Sequence, residues 1–143
     1  MGTTATANHR VLLVREWDQQ TTGSGCCGRL EGGTSELAGA ADFRRTRLDM
    51  EAMGAVYRAL VAELPARVAD VQIVDPRNLV FLLPGIVGDA RRAGLGWVEA
   101  GRQLARGCGQ GAIVVDGRVV SQGAVPSPDD AVALVLRELA AAS

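Results

Sequence analysis

Two adjacent thiols lie in a glycine-rich stretch, Gly23-Ser24-Gly25-Cys26-Cys27-Gly28-Arg29, and a third lies in Gly107-Cys108-Gly109-Gln110-Gly111. Thiols support reversible oxidation or capture of soft ions, and in both cases the thiolate is the active form. Arg29 follows Cys27 by two positions and favours a thiolate, as would loop amides around Gly25 and Gly28. Adjacent α-carbons across a trans peptide are about 3.8 Å apart, below the roughly 4.4–6.8 Å of relaxed disulfides. A Cys26–Cys27 disulfide is therefore expected to be strained and easily reduced, which suits a sensor better than a staple. A bond from either residue to Cys108 is geometrically easier if the two stretches meet. Three thiolates at one point suit three-coordinate As(III) or a Cu(I)-type ion better than tetrahedral zinc. Free cysteine is also among the most buried residue types, where it packs as a small hydrophobe. The residues alone leave redox, metal-binding and inert roles open.

Composition removes other chemistries. All 15 basic residues are arginine, so there is no P-loop lysine, Schiff base or lysine general base. The single histidine, His9, rules out sites built on paired histidines and reads as a surface or strand-end residue. Three cysteines are too few for an all-thiolate zinc or iron–sulfur site within one chain, and their odd number argues against a secreted disulfide framework. A net charge of −1 and only two Trp, one Tyr and two Phe make nucleic acid an unsuitable partner. Met1–Asn8 has neither a charged n-region nor an apolar h-region and reads as a flexible tail. The expected compartment is the cytoplasm. At 143 residues the chain reads as one domain, with 48% hydrophobic residues to supply its core.

The elements that must position the thiols emerge from periodicity. His9–Glu16 carries Val11, Leu12, Leu13 and Val14 without alternation, the pattern of a strand covered on both faces. The polar stretch Trp17–Gly33 comes next, and the whole of Gly23–Arg47 reads largely as loop, with one or two helical turns over Ser35–Ala41. Met53, Val56, Tyr57, Leu60, Val61 and Leu64 then mark an amphipathic helix from about 47 to 64, stopped by Pro65. Val71–Val74 is a short strand. Asp75-Pro76 reads as a helix start, with Asp as cap and Pro at the first position. Leu79–Val87 is apolar on more than one face and interrupted by Pro84, where a kink is expected. That run is far short of the roughly 20 residues needed to cross a bilayer, so no membrane span is expected. Another helix is expected over Trp97–Arg106. Ala112–Val115 and Arg118–Ser121 flank Asp116-Gly117, a two-residue hairpin signal. Ser127-Pro128-Asp129-Asp130 then opens a last helix with a buried stripe through Leu139.

The resulting order, β-α-β-α-β-β-α, resembles the thioredoxin-like fold over roughly residues 9–140, an α/β class with a four-stranded mixed sheet flanked by helices. That resemblance implies a central first strand with the third antiparallel beside it. Cys108 would then lie near Cys26 and Cys27. Gly111 stands where the fold usually has a proline. Adjacent cysteines after the first strand, with the later hairpin and helix, also resemble the thioredoxin-like arsenical metallochaperones. The family's third thiol lies a few residues after its pair, where this chain has only Gly28 to Gly33. The Cys-x-x-Cys spacing of thioredoxins proper is absent.

Two functions are therefore expected. One is a thiol site of Cys26, Cys27 and Cys108 for a soft ion or reversible oxidation. The other is a non-catalytic scaffold for dimerisation or partner binding, with structural cysteines. Because Leu79–Val87 is apolar all round, a homodimer through that region is expected. Arg44-Arg45-x-Arg47 and Arg91-Arg92 read as anion sites or as solvated helix edges, the latter being the commoner use. Asp18 and Glu31 flank the cysteine loop without forming an acid–base pair, and Trp17 is either a cover for that loop or core.

Overall fold

The computed structural model describes residues 7–15 and 35–142. Eight elements occur in order: β1 (His9–Val14), α1 (Ser35–Glu63), β2 (Ala69–Val74), α2 (Leu79–Arg92), α3 (Trp97–Gly107), β3 (Ile113–Val115), β4 (Arg118–Ser121) and α4 (Pro128–Ala141). The class is α/β with one four-stranded mixed sheet of order β2-β1-β3-β4. β1 pairs in parallel with β2 and antiparallel with β3, and β3 pairs antiparallel with β4. The crossover between β2 and β3 holds two helices where the seven-element order counts one.

β1 shows why its sequence does not alternate. Val11 and Leu13 point into one core layer with Met53, Val56 and Leu60 of α1 and Ala131, Val135 and Leu139 of α4. Leu12 and Val14 point into the opposite layer with Leu82 and Ile86 of α2. All four are essentially inaccessible to water. Full burial of each such side chain is worth about 1.5–3 kcal/mol, so this short strand anchors both layers.

Two boundaries differ from expectation. α1 begins at Ser35, so the turns read over Ser35–Ala41 and the helix read from 47 are one helix. No proline interrupts 35–63, and the Ala-, Leu-, Glu- and Arg-rich run outweighs the roughly 1 kcal/mol cost of Gly39. α2 starts at Leu79 with Asn78 as its N-cap, not at Asp75-Pro76. The Asp75 carboxylate accepts from the Arg77 amide at 2.8 Å, and the Asn78 amide donates to the Asp75 carbonyl at 2.9 Å. Asp followed by Pro serves positions one and two of a β-turn as well as it serves a helix start, and here the turn wins. Pro84 does lie inside α2.

The hairpin forms where expected. Asp116 and Gly117 both take positive φ, 48° and 80°, as a two-residue loop of the primed kind requires. A β-carbon on Gly117 would lie 2.2 Å from the backbone nitrogen of Ala90, so the turn presses directly on α2. No helix of the described residues is long and apolar enough to cross a membrane.

Candidate functional site

The two ends of β1 carry the chemistry-bearing side chains. At its C-terminal end, Gly111 donates its amide to the Val14 carbonyl, and Val14 donates to the Ala112 carbonyl, each at 2.9 Å. The stretch leading into β3 therefore borders the end of β1. Gly111 takes φ +75°, and a β-carbon there would lie 2.2 Å from the Gly123 carbonyl oxygen. A side chain of any kind is excluded, which explains glycine at this position.

Cys108 caps the C-terminus of α3, its amide donating to the Leu104 carbonyl at 3.0 Å. It is partly buried and packs against the layer formed by Leu12, Val14, Val74, Leu82 and Ile86. Burial pushes its thiol pKa above the ordinary value of 9.0. Cys108 is thus a neutral thiol at neutral pH and becomes a ligand only with loss of its proton. Cys26, Cys27, Gly25, Gly28 and Arg29 lie outside the described residues, as do Trp17, Asp18 and Glu31. Among the described residues no group of three or more His, Cys, Asp or Glu is arranged to hold a metal ion.

The opposite end of β1 holds a polar cluster that the spacing of its residues does not announce. His9 Nδ1 lies 2.7 Å from Asp116 Oδ2, and the other Asp116 carboxylate oxygen accepts from the Arg10 amide at 2.8 Å. The Asp116 amide returns a bond to the Arg10 carbonyl at 2.9 Å. Next to this pair, buried Asp89 of α2 sits between two guanidiniums. Arg92 donates to it at 2.7 Å, and Arg10 lies 3.5 Å away as an ion pair. Burial, the largest influence, raises the Asp89 pKa above the usual 3.8, against the opposing pull of Arg10 and Arg92. The cluster lines a cleft of about 870 Å³ that also touches Tyr57, Val61 and Leu64. Asp116 was legible only as a turn residue. Pairing Val11 with Val115 across β1 and β3 puts it opposite Arg10, and that register was the available signal.

Arg91 and Arg92 divide their roles. Arg91 donates to the Leu95 carbonyl at 2.6 Å and stacks over Trp97 at 4.6 Å, closing the turn between α2 and α3. Arg92 serves Asp89. Arg44, Arg45 and Arg47 are exposed along α1. The chain matches no protein-family model, no curated protein and no solved structure.

Proposed function

We propose that the protein is a small cytoplasmic thioredoxin-like domain whose Cys26, Cys27 and Cys108 form a thiol site for a soft metal or metalloid ion, or for reversible oxidation. The observation that carries this reading is the pairing of Val14 with Gly111 and Ala112, which sets the Cys108 stretch beside the strand end. Cys26-Cys27 is the next thiol-bearing stretch along the chain from that end. The thioredoxin-like part of the reading is supported by the strand order β2-β1-β3-β4, by the antiparallel third strand, and by the hairpin with its closing helix. Three sulfurs select As(III) or Cu(I) over harder ions. In the redox version, two thiols join as a disulfide, giving up two protons and two electrons to an external oxidant.

Titration of the reduced protein with As(III) or Cu(I), with free thiols counted, tests this. One equivalent is expected to protect all three thiols, and Cys108→Ala is expected to bind more weakly with two. Absence of thiol consumption in the wild type overturns the metal version, and unchanged affinity in Cys108→Ala overturns the three-thiol arrangement. Insulin reduction is expected to be weak or absent, because no Cys-x-x-Cys pair is present to resolve a mixed disulfide.

A second reading, a scaffold that pairs with itself or with another protein, is favoured by one specific observation. Leu79, Val80, Phe81 and Leu83 of α2 are 48%, 88%, 39% and 48% exposed. A cluster of uncharged, solvent-facing large side chains on one helix end is the usual mark of an interaction surface. In this reading Leu79–Val87 meets a second copy, and the cysteines are structural.

A further inference from the structure

We propose that β2 is an interaction edge through which two copies of this chain join, antiparallel and centred on Gln72, into one continuous sheet. The inference needs neither the thiol site nor the exposed end of α2. β2 is the outer strand of the sheet and pairs only with β1. His9 and Arg15 donate their amides to the Val68 and Val74 carbonyls at 3.1 and 3.0 Å, which fixes the phase of that pairing. Backbone groups alternate sides along a strand. Asp70 and Gln72 therefore spend theirs on β1, while Val71 and Ile73 point theirs away from the sheet. Among the described residues no backbone group bonds to either on that side.

The sheet's other edge is guarded and this one is not. β4 pairs with a register shift at Ile113/Val114, starts with exposed Arg118, and has its Val119 amide taken by the Gln103 side chain at 2.8 Å. Bulges, basic residues and covering side chains are the means by which proteins keep an edge from pairing. β2 shows none of them. Its six residues carry one charge, at Asp70, and no proline, and they follow β1 in unbroken register. The surface beside the edge is apolar. Val71 and Ile73 pack on the α1 layer but stay only half-buried. Tyr57 and Val61 of α1 line one cleft with Val71, and Val61 is 48% exposed.

A second copy is the occupant because β2 is complementary to itself. With Gln72 opposite Gln72 on a two-fold axis, Val71 of each copy meets Ile73 of the other, and each such pair exchanges both of its backbone bonds. A register centred on Val71 would need the Ala69 amide, which already donates to the Pro65 carbonyl at 3.2 Å. In the Gln72 register the Val71 and Ile73 side chains of both copies keep to one side of the joined sheet as β-branched cross-strand pairs. Asp70, the strand's one charge, falls opposite Val74 and not opposite a second Asp70, so no like charges meet. The primary amide at the axis both donates and accepts, so it can pair with its own copy.

The test uses the full-length reduced chain carrying Val80→Asp, which removes the α2 surface and leaves β2 intact. This parent is expected to dimerise in sedimentation with a dissociation constant on the order of 100 μM, the weak pairing that a short edge supplies. Adding Gln72→Glu sets like charges opposite each other at the axis and is expected to weaken the dimer at least about fivefold. Fluorescently labelled Gln72→Glu mixed with Gln72→Lys is expected to recover it. In NMR exchange, the Val71 and Ile73 amides of the parent are expected to slow about threefold between about 20 and about 500 μM protein. A parent that stays monomeric at about 500 μM, a Gln72→Glu variant as tight as its parent, or no recovery in the mixture would each overturn the proposal. So would Val71 and Ile73 amides that exchange at one rate at every concentration, the result expected if another part of the chain covers the edge. Should Gln72→Glu fail to fold, the exchange rates of the parent decide.

Discussion

His9 and Asp116 join the start of the central strand to the turn between β3 and β4 through a 2.7 Å contact between Nδ1 and Oδ2. The Arg10 amide shares the same carboxylate. Asp116→Ala removes both contacts while leaving the backbone pairing of Arg10 with residue 116 possible. A loss of about 1–3 kcal/mol in urea unfolding is expected, since two half-buried donors lose their acceptor. Wild-type stability in that variant would show that the carboxylate does not fasten the turn.

The turn makes a second prediction, on glycine. Gly117→Ala would put a methyl group 2.2 Å from the Ala90 nitrogen at φ +80°, and a loss of more than about 2 kcal/mol is expected. Gly101, on an exposed part of α3 with open space around its β-position, is the counterpart. Gly101→Ala is expected to raise stability by about 0.5–1 kcal/mol through helix propensity alone. The two midpoints should move in opposite directions.

Cys108 predicts a pH dependence. Its folded pKa lies above the unfolded value of 9.0, so folding favours the protonated thiol. The contribution to stability is complete below pH 9 and is lost as pH climbs through the raised folded value. Reduced wild type should therefore lose more stability than Cys108→Ala as pH rises above the ordinary thiol value of 9.0. In a Cys26→Ser/Cys27→Ser background, iodoacetamide should alkylate Cys108 more slowly in the folded protein than in urea. Equal rates would mean that the thiol is neither shielded nor shifted.

Ser127 accepts a hydrogen bond from the Asp130 amide at 3.2 Å and so caps α4, with Pro128 at the first helical position. Ser127→Ala is expected to cost about 1 kcal/mol, and Ser127→Gly a few tenths. Equal losses in the two would show that the lost hydroxyl alone sets the cost, and no loss in either would show that the hydroxyl does not stabilise α4.

Val80 tests the pairing surface. At 88% exposure it can accept a charge without touching the core. Val80→Asp should leave the far-UV circular dichroism of the folded chain unchanged and convert a dimer to a monomer in sedimentation at micromolar concentration. A wild type that sediments as a monomer removes the homodimer, leaving the exposed turn to another partner.

How far the sequence could be read depended on the range of the signals. Local chemistry was reliable where one residue type had one use. Asp116-Gly117 and Ser127-Pro128 each fixed a turn or a cap, and the four unbroken apolar residues of β1 announced burial on both faces. Asp75-Pro76 failed because the same pair starts a turn and a helix equally well, and Arg77 and Asn78 decide between them. The turns over Ser35–Ala41 fell short of a helix because nothing in their pattern marks a buried face. His9 reads as a strand-end residue and does begin β1, but its partner does not show in the sequence. Its partner is 107 positions away, and only the β1–β3 register brings them together. For the thiols, the thioredoxin-like resemblance implies that the start of β3 borders the end of β1, and the bonds of Val14 with Gly111 and Ala112 put it there. Burial against the layer of Leu12, Val14, Leu82 and Ile86, which raises the Cys108 pKa, depends on long-range packing that no local pattern carries.

The central place of β1 has a consequence for how the molecule opens. Its amides are bonded to β2 on one side and β3 on the other, and both faces are sealed by core layers. No local fluctuation can expose Val11–Val14 without parting the sheet, so their hydrogen exchange reads the free energy of complete unfolding. Anything that binds only the folded chain would slow these same few amides. One set of exchange rates thus measures occupancy wherever on the fold a ligand sits.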